Sequence, residues 1–521
     1  MRNSFRAILC LALFPWNFLF PQTNSISTHE HWIRMEQSDT SGVCHLSLKP
    51  FMLGEFSNDT SSNIRVRKAK FIHKPYPLIV FPLANLVAGF DAAKGELLYR
   101  LDGGVWVHGN FLNGKLGLFT AVSGSLMNAP AYLDSFMYSS GVIPGKGRAF
   151  GGPDNFSSEY AEGYLSWSPD KIFNFQAGYG KHFWGDGYRS LFVSDVANPY
   201  PYFKMTANVW KFKYAVMYAM HTDMTASVGS KTDFRKKFGT FHYLSWNATK
   251  KLNFSFFETV LWQGKDSNRT RYFDVNYLNP VIFFRPVEYS LGSSDNSMIG
   301  FGFRHKTCKY FHYYGQVLFD EFLVKEIRAD LSELISPDDT LDSGWWANKY
   351  GWQLGWKAFD VFKIKGLFLQ QEFNRVRPYT YSHGSVQQNY GHMNQSLAHP
   401  LGSNFYELVN ILSFHTGRWD LKGQINYAVK GMDTSGTNYG GNIFASYVTR
   451  ESEYGNSTTQ GLKTAIINIG GGVSCVLIKD YNLRAELGFR YRISDNSLQT
   501  DKDAWVYLAL RTNLWNSYDD F

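Results

Sequence analysis

Cysteine is nearly absent: the 521 residues contain four, with Cys10 inside an N-terminal apolar stretch and Cys44, Cys308 and Cys475 widely separated. At most two of the last three can pair, so a disulfide framework does not hold this fold together. Charge is thin as well, at 18%, and the net +8 drops to +6 without Arg2 and Arg6. The densest basic run is Arg65 to Lys70, too little for the clustered phosphate-neutralising charge that nucleic-acid binding needs. No stretch reaches the roughly 18 consecutive apolar residues of a spanning helix. The best, Pro75 to Phe90, is broken by prolines and by Asn85, which excludes a helical membrane protein. Heptads, a serine nucleophile elbow and a phosphate-loop lysine are missing too.

Aromatic residues are abundant, at 17% of the chain within a hydrophobic fraction of 44%, which rules out intrinsic disorder. Arg2 and Arg6 precede an apolar stretch from Ala7 to Phe20, too short to span a bilayer and shaped like a secretory signal peptide over residues 1–25. Residues 26–70 then read as an N-terminal periplasmic or lumen segment, and 71–521 as one β-barrel.

The dominant hydrophobic period is two. From Arg484 to Arg492, Ala485, Leu487, Phe489 and Tyr491 share one face, while Arg484, Glu486, Gly488, Arg490 and Arg492 share the other. The same sorting recurs at Phe173, Phe175, Ala177 and Tyr179, at Leu421, Gly423, Ile425 and Tyr427, and at Trp352, Leu354 and Trp356. Asn113-Gly114 marks a hairpin between strands around Val105 to Phe111 and Leu116 to Thr120. Soluble sandwiches also alternate. The aromatic excess and the charged or amide-bearing opposite faces instead favour an all-β transmembrane antiparallel barrel with a wet lumen partly filled by inward-folded loops. Strands of about ten residues give roughly 16–18 of them, with more than half the chain left for turns and loops. Met220 to Lys236, Lys325 to Lys349 and Thr449 to Lys463 are candidates for the external face. The chain ends on an alternating run from Trp505 to Trp515 and a terminal aromatic, Phe521, as outer-membrane barrels do, although Asp519 and Asp520 precede it.

Three strings carry candidate site residues. In Gly180 to Asp195, Lys181, His182, Trp184, Asp186, Arg189 and Asp195 suit an inward loop pairing with charges on the lumen wall; no helix follows, so a phosphate cradle is not expected. In Tyr277 to Glu288, Arg285 and Glu288 are candidates for the same network. Asp320 and Glu372 add carboxylates; a glycosidase pair would use two such groups, but ion pairing with arginine is the commoner fate of a buried carboxylate. The third string runs from Glu372 through Arg375 and Arg377 to His383, with His392 and His399 beyond it. The histidine spacings match no metal-ligand pattern, so neither metal nor cofactor is expected. A wall of Tyr, Trp, His, Arg and Asn suits sugar rings by stacking.

The stretches Lys181 to Leu191, Tyr277 to Pro280, Arg285 to Glu288 and Arg377 to His383 resemble those of Bacteroidota capsule-assembly Wzi-family and RemB-like gliding-motility proteins, over most of the chain from about residue 70. The resemblance implies an outer-membrane barrel that binds or organises surface polysaccharide, or supports gliding motility, without catalysing a reaction. It implies membrane lipid and surface polysaccharide as partners, together with motility or secretion machinery. The rival readings are an outer-membrane transport channel and a secreted β-rich glycan hydrolase.

Overall fold

The computed structural model describes residues 28–39, 44–51, 78–92, 94–225, 234–265, 270–272, 274–280, 295–321, 343–479, 482–512 and 515–521. The leader proposed for residues 1–25, and Arg285 and Glu288, lie outside the described residues.

Eighteen antiparallel strands close into one barrel. They are β1 (Leu78–Asp91), β2 (Glu96–Phe111), β3 (Leu116–Asn128), β4 (Asn155–Trp167), β5 (Phe173–Gly180), β6 (Tyr200–Val209), β7 (Phe212–Asp223), β8 (Arg235–Asn247) and β9 (Leu252–Gln263). The second half comprises β10 (Asn296–Cys308), β11 (Phe311–Glu321), β12 (Lys349–Phe359), β13 (Leu367–Val376), β14 (Phe405–Thr416), β15 (Trp419–Met432), β16 (Leu462–Ile478), β17 (Leu483–Asp495) and β18 (Thr500–Arg511). Every strand pairs with its sequence neighbours, and β18 closes on β1 from Asn85↔Arg511 to Asp91↔Trp505, so no edge is left unpaired. The expected Asn113-Gly114 hairpin joins β2 to β3, with φ of 56° and 85° at those residues, as a tight turn of this hand requires.

The connections sort by end. At one end the turns are short, for example 210–211, 309–310 and 417–418; at the other most connections are long, including 129–154, 181–199, 377–404 and 433–461. The described parts of the three segments expected on the external face all belong to the long-loop end.

The outward face is apolar because the period-two sorting holds where it was read: Leu354, Leu421, Ile425, Leu487, Phe489 and Leu508 are all exposed. Trp167, Trp210, Trp246, Phe254, Phe362 and Trp419 stand exposed around the short-turn end, an aromatic girdle of the kind found where a barrel meets a bilayer interface.

The 181–199 loop folds into the lumen as expected, but the wall it meets on one side is apolar where a wet one was expected. Barrels of 16–18 strands ordinarily leave an aqueous channel. Here Phe241, Tyr243, Phe257, Leu261, Met298 and Leu318 on the inner wall of β8–β11 form an apolar core with Trp184, Leu191, Phe192 and Val193 of the 181–199 loop. Phe192 stacks on Phe257 with ring centroids 4.9 Å apart and planes at 11°. That stacking depends on Gly300, where a Cβ would lie 2.3 Å from the Phe192 ring. Burying the Trp184 and Phe192 rings stabilises the inward loop by about 2–3 kcal/mol each. The sequence sign was there: in β8 and β9 both faces carry large apolar residues, which a water-lined wall would not need.

The chain's end also differs from expectation. β18 stops at Arg511, and residues 515–521 turn back into the lumen, where Phe521 packs on Phe136 at 5.0 Å. The terminal aromatic is a lumen contact and not the last residue of the closing strand. Helix α1 (His29–Ser38), capped by the Thr28 hydroxyl accepting from the His31 N–H, lies at the short-turn mouth. There Arg34 meets Asp420 at 2.8 Å, and Glu36 meets Lys357 at 2.6 Å and His312 at 3.0 Å.

Placing Arg at position 508, on the outward face of β18, should cost up to about 2–4 kcal/mol of folding free energy in lipid vesicles. Urea unfolding of Leu508→Arg measures this, and a cost near zero would mean that this face does not meet hydrocarbon.

Candidate functional site

Arg189 ties the interior together. Its side chain has no solvent exposure; Nη2 lies 2.8 Å from Glu407 Oε1, Nε donates to Glu407 Oε2 at 3.2 Å, and Nη1 donates to Asp520 Oδ1 at 3.2 Å. Glu407 comes from β14 and Asp520 from the C-terminal tail, so one planar cation joins loop, wall and tail. Beside it, Glu372 of β13 accepts from the backbone N–H groups of Tyr188 at 2.8 Å and Arg189 at 3.0 Å, and from the Tyr314 hydroxyl at 2.7 Å. His399 Nδ1 accepts from the Leu401 N–H, which leaves Nε2 protonated to donate to Glu407 at 2.7 Å. Burial alone would raise the Asp520 carboxyl, but the Arg189 charge outweighs it and holds the group below its ordinary value.

The remaining residues of the first string are brought into this interior. Asp186 pairs with Arg304 of β10 at 3.0 Å. Asp195 accepts from Tyr518 at 2.8 Å and Asn516 at 2.9 Å, both in the tail. Lys181 donates to the Gly145 carbonyl at 3.1 Å, and burial pushes its ammonium down. His182 meets the Tyr200 hydroxyl at 3.4 Å, and the Trp184 carbonyl accepts from Ser190 at 2.6 Å.

The other candidates do not join them. Asp320 lies 3.2 Å from Lys349 and accepts from the Tyr381 N–H at 2.7 Å, nearer the long-loop end. Arg375 donates to the Thr458 hydroxyl at 3.1 Å. Arg377 donates to the carbonyls of Trp345 at 3.4 Å and Asn456 at 3.2 Å. The His383 ring meets the Tyr447 ring edge-on at 5.6 Å.

Arg377 and His383 thereby support an aromatic patch that the sequence reading missed. Trp346 and Tyr447 lie 4.7 Å apart, Trp345 adjoins at 6.2 Å, and the Arg450 guanidinium sits 4.3 Å from the centre of the Trp346 ring. All four are half-buried, with Val448 and Tyr454 exposed beside them. Backbone bonds from Trp346 N to Glu453 O at 2.8 Å and from Asn456 N to Gly344 O at 2.9 Å bind the two loops. Gly344, at φ 69°, permits this because a Cβ would lie 2.6 Å from Asn456 N. The adjacent Trp345-Trp346 pair, in a loop where no bilayer girdle is needed, was the available signal.

A second feature lies on the opposite side of the lumen. Between the tail and the walls of β1–β3 and β15–β18 runs a crevice of about 370 Å³. Its lining holds the ion pairs Arg100–Asp102 at 3.1 Å, Arg484–Glu30 at 3.5 Å and Arg511–Glu486 at 3.5 Å, and Lys146 bonded to Asp102.

No protein-family model and no curated protein matches this sequence. Among solved structures the chain is similar to Wzi of Escherichia coli, an outer membrane protein involved in group 1 capsule assembly and a carbohydrate-binding β-barrel. The TM-score is 0.56 at 11% identity, covering 95% of this chain and 100% of that one. OprD of Pseudomonas aeruginosa gives a TM-score of 0.44 at 8% identity over 84% of this chain and 95% of that one. At 11% identity the first likeness establishes a shared barrel fold of outer-membrane type.

Replacing Arg189 by Ala strands two buried carboxylates and should destabilise the barrel by about 3–5 kcal/mol. Lys at this position should restore only part of that, because it lacks the fork that reaches Glu407 and Asp520 together. Equilibrium unfolding in urea reads both, and unchanged stability of Arg189→Ala would contradict the assignment. Asp520's share is complete above the ordinary carboxylate range and is lost as pH falls through its lowered value.

Proposed function

We propose that this chain is an outer-membrane barrel that holds surface polysaccharide on its long-loop end and catalyses no reaction. Orientation follows from the connections, since such barrels keep short turns on the periplasmic side and long loops outside. The observation that carries the reading is the half-buried Trp345, Trp346, Tyr447 and Arg450 patch at that end. Aromatic faces offer a pyranose ring the apolar contact its C–H face prefers, and Arg450, held by Glu453 and the Tyr447 carbonyl, supplies a planar guanidinium beside them for its hydroxyls. The patch rests on loops cross-bonded to one another above a filled lumen, so its rings are held before a ligand arrives, which lowers the ordering cost of binding. The fold shared with a carbohydrate-binding barrel supports the reading without specifying the sugar.

The crevice favours a second reading, a narrow transport path. The two separate in planar bilayers: the binding role predicts no stable open pore of the size an unfilled barrel of this strand number would give.

For the binding role, Trp346→Ala should weaken retention of extracted capsular or surface polysaccharide by roughly tenfold, the magnitude of a lost stacking contact. Its unfolding midpoint should stay near that of the unsubstituted protein. Affinity electrophoresis checks this; undiminished retention by Trp346→Ala would remove the patch from the account.

A further inference from the structure

The crevice contains two cations that form none of its close ion pairs. Lys422 on β15 and Arg490 on β17 both line it; among the described residues no carboxylate lies within ion-pair distance of either, while Asp519 and Asp520 act on Arg490, and Glu30 on Lys422, from farther away. Arg490 Nη1 is buried with no acceptor at close hydrogen-bond distance, the Tyr132 hydroxyl interacting with this guanidinium from farther off. Lone buried donors of this kind are costly unless something accepts from them.

Between the two cations the wall has no side chains. Lys422 is paired across to Gly472 and Arg490 to Gly470, so the run Gly470-Gly471-Gly472 of β16 separates them. A Cβ on Gly470 would come no closer to Arg490 than 3.7 Å from Nε, which places this glycine on the same face as the guanidinium. The result is a recess in the wall with a cation on each flank. The Arg490 guanidinium lies 5.7 Å from the centre of the Trp505 ring, and Tyr507 also lines the crevice. At about 370 Å³ the space falls within the range of small-ligand sites.

We propose that this recess binds a carboxylate-bearing sugar unit of the hexuronate class, with Arg490 and Lys422 taking the carboxylate and the Trp505 and Tyr507 side facing the ring. A guanidinium fork matches a carboxylate in two parallel hydrogen bonds, and an indole edge beside it suits a pyranose better than a bare inorganic anion. The glycine run supplies the room: side chains at positions 470 and 472 would occupy the space between the two cations. Lys422 lies near the short-turn end of β15, on a crevice whose lining at that end includes Thr28, His29 and Glu30. The recess is separate from the aromatic patch at the other end and does not rest on the role proposed for that patch.

The test is calorimetric titration of the full refolded chain in detergent with glucuronate, glucose and inorganic phosphate. Glucuronate should saturate, glucose should show no comparable binding, and phosphate should displace glucuronate only at much higher concentration. Lys422→Met and Arg490→Met should each weaken glucuronate binding about tenfold or more. Gly470→Glu, which fills the recess and pairs with Arg490, should abolish it, while Trp346→Ala should leave it unchanged. Heat-modifiable migration on gels checks that each variant is folded; if Arg490→Met is not, the other two variants carry the test. Absence of saturable glucuronate binding overturns the proposal. So does equal binding of glucose, displacement by phosphate at matching concentration, or full affinity in Lys422→Met and Gly470→Glu.

Discussion

A guanidinium with no exposure to water, held between a wall carboxylate and a tail carboxylate, is the contact on which the interior of this barrel depends. Arg189 arrives on a loop from the long-loop end, Asp520 on a tail that enters from the short-turn end, and Glu407 on β14. None of these three pieces could hold its charge in the lumen alone, because desolvation would outweigh any local gain. Arg189 bonds to both carboxylates, Arg490 adds a second positive charge near Asp520, and Glu372 secures the backbone of the same loop. The apolar half of the loop then packs on β8–β11, so polar and apolar contacts fix one position between them.

A filled lumen changes what such a barrel can do. An open barrel of this width passes solutes; a filled one is a rigid support for its loops. The cap loops here are bonded to each other through Gly344, Asn456 and Arg377, and their rings stand at fixed distances. Among the described residues a crevice remains along β15–β18 and β1–β3, where glycines of β16 replace side chains and the C-terminal tail forms the opposite wall. Closure and residual cavity thus have the same origin, since the segments that fill one side of the lumen leave the crevice on the other.

The outward face was legible because it is written locally: each strand states its own period, as Leu487 and Phe489 do against Arg490. Arg189 was legible as a buried lumen charge from the string around it. Its partners were not, since Glu407 and Asp520 lie 218 and 331 residues away and nothing in either neighbourhood marks them as a pair. The same distance hid Arg304 from Asp186, 118 residues apart. The apolar side of the lumen is harder to read, because β8 and β9 carry large rings on both faces and so lack the period-two contrast of the other strands. The aromatic patch is hidden for a different reason: Trp and Tyr also form bilayer girdles, and only their loop positions set Trp345, Trp346 and Tyr447 apart.

The account turns on the inward loop and the tail being as firmly held as the strands around them. Hydrogen exchange on the detergent-solubilised protein reads this amide by amide. It predicts that amides of residues 186–195 and 515–520 exchange on the slow timescale of the β13 and β14 amides. Exchange of either segment at the rate of an unstructured peptide, with the strands still protected, would contradict it.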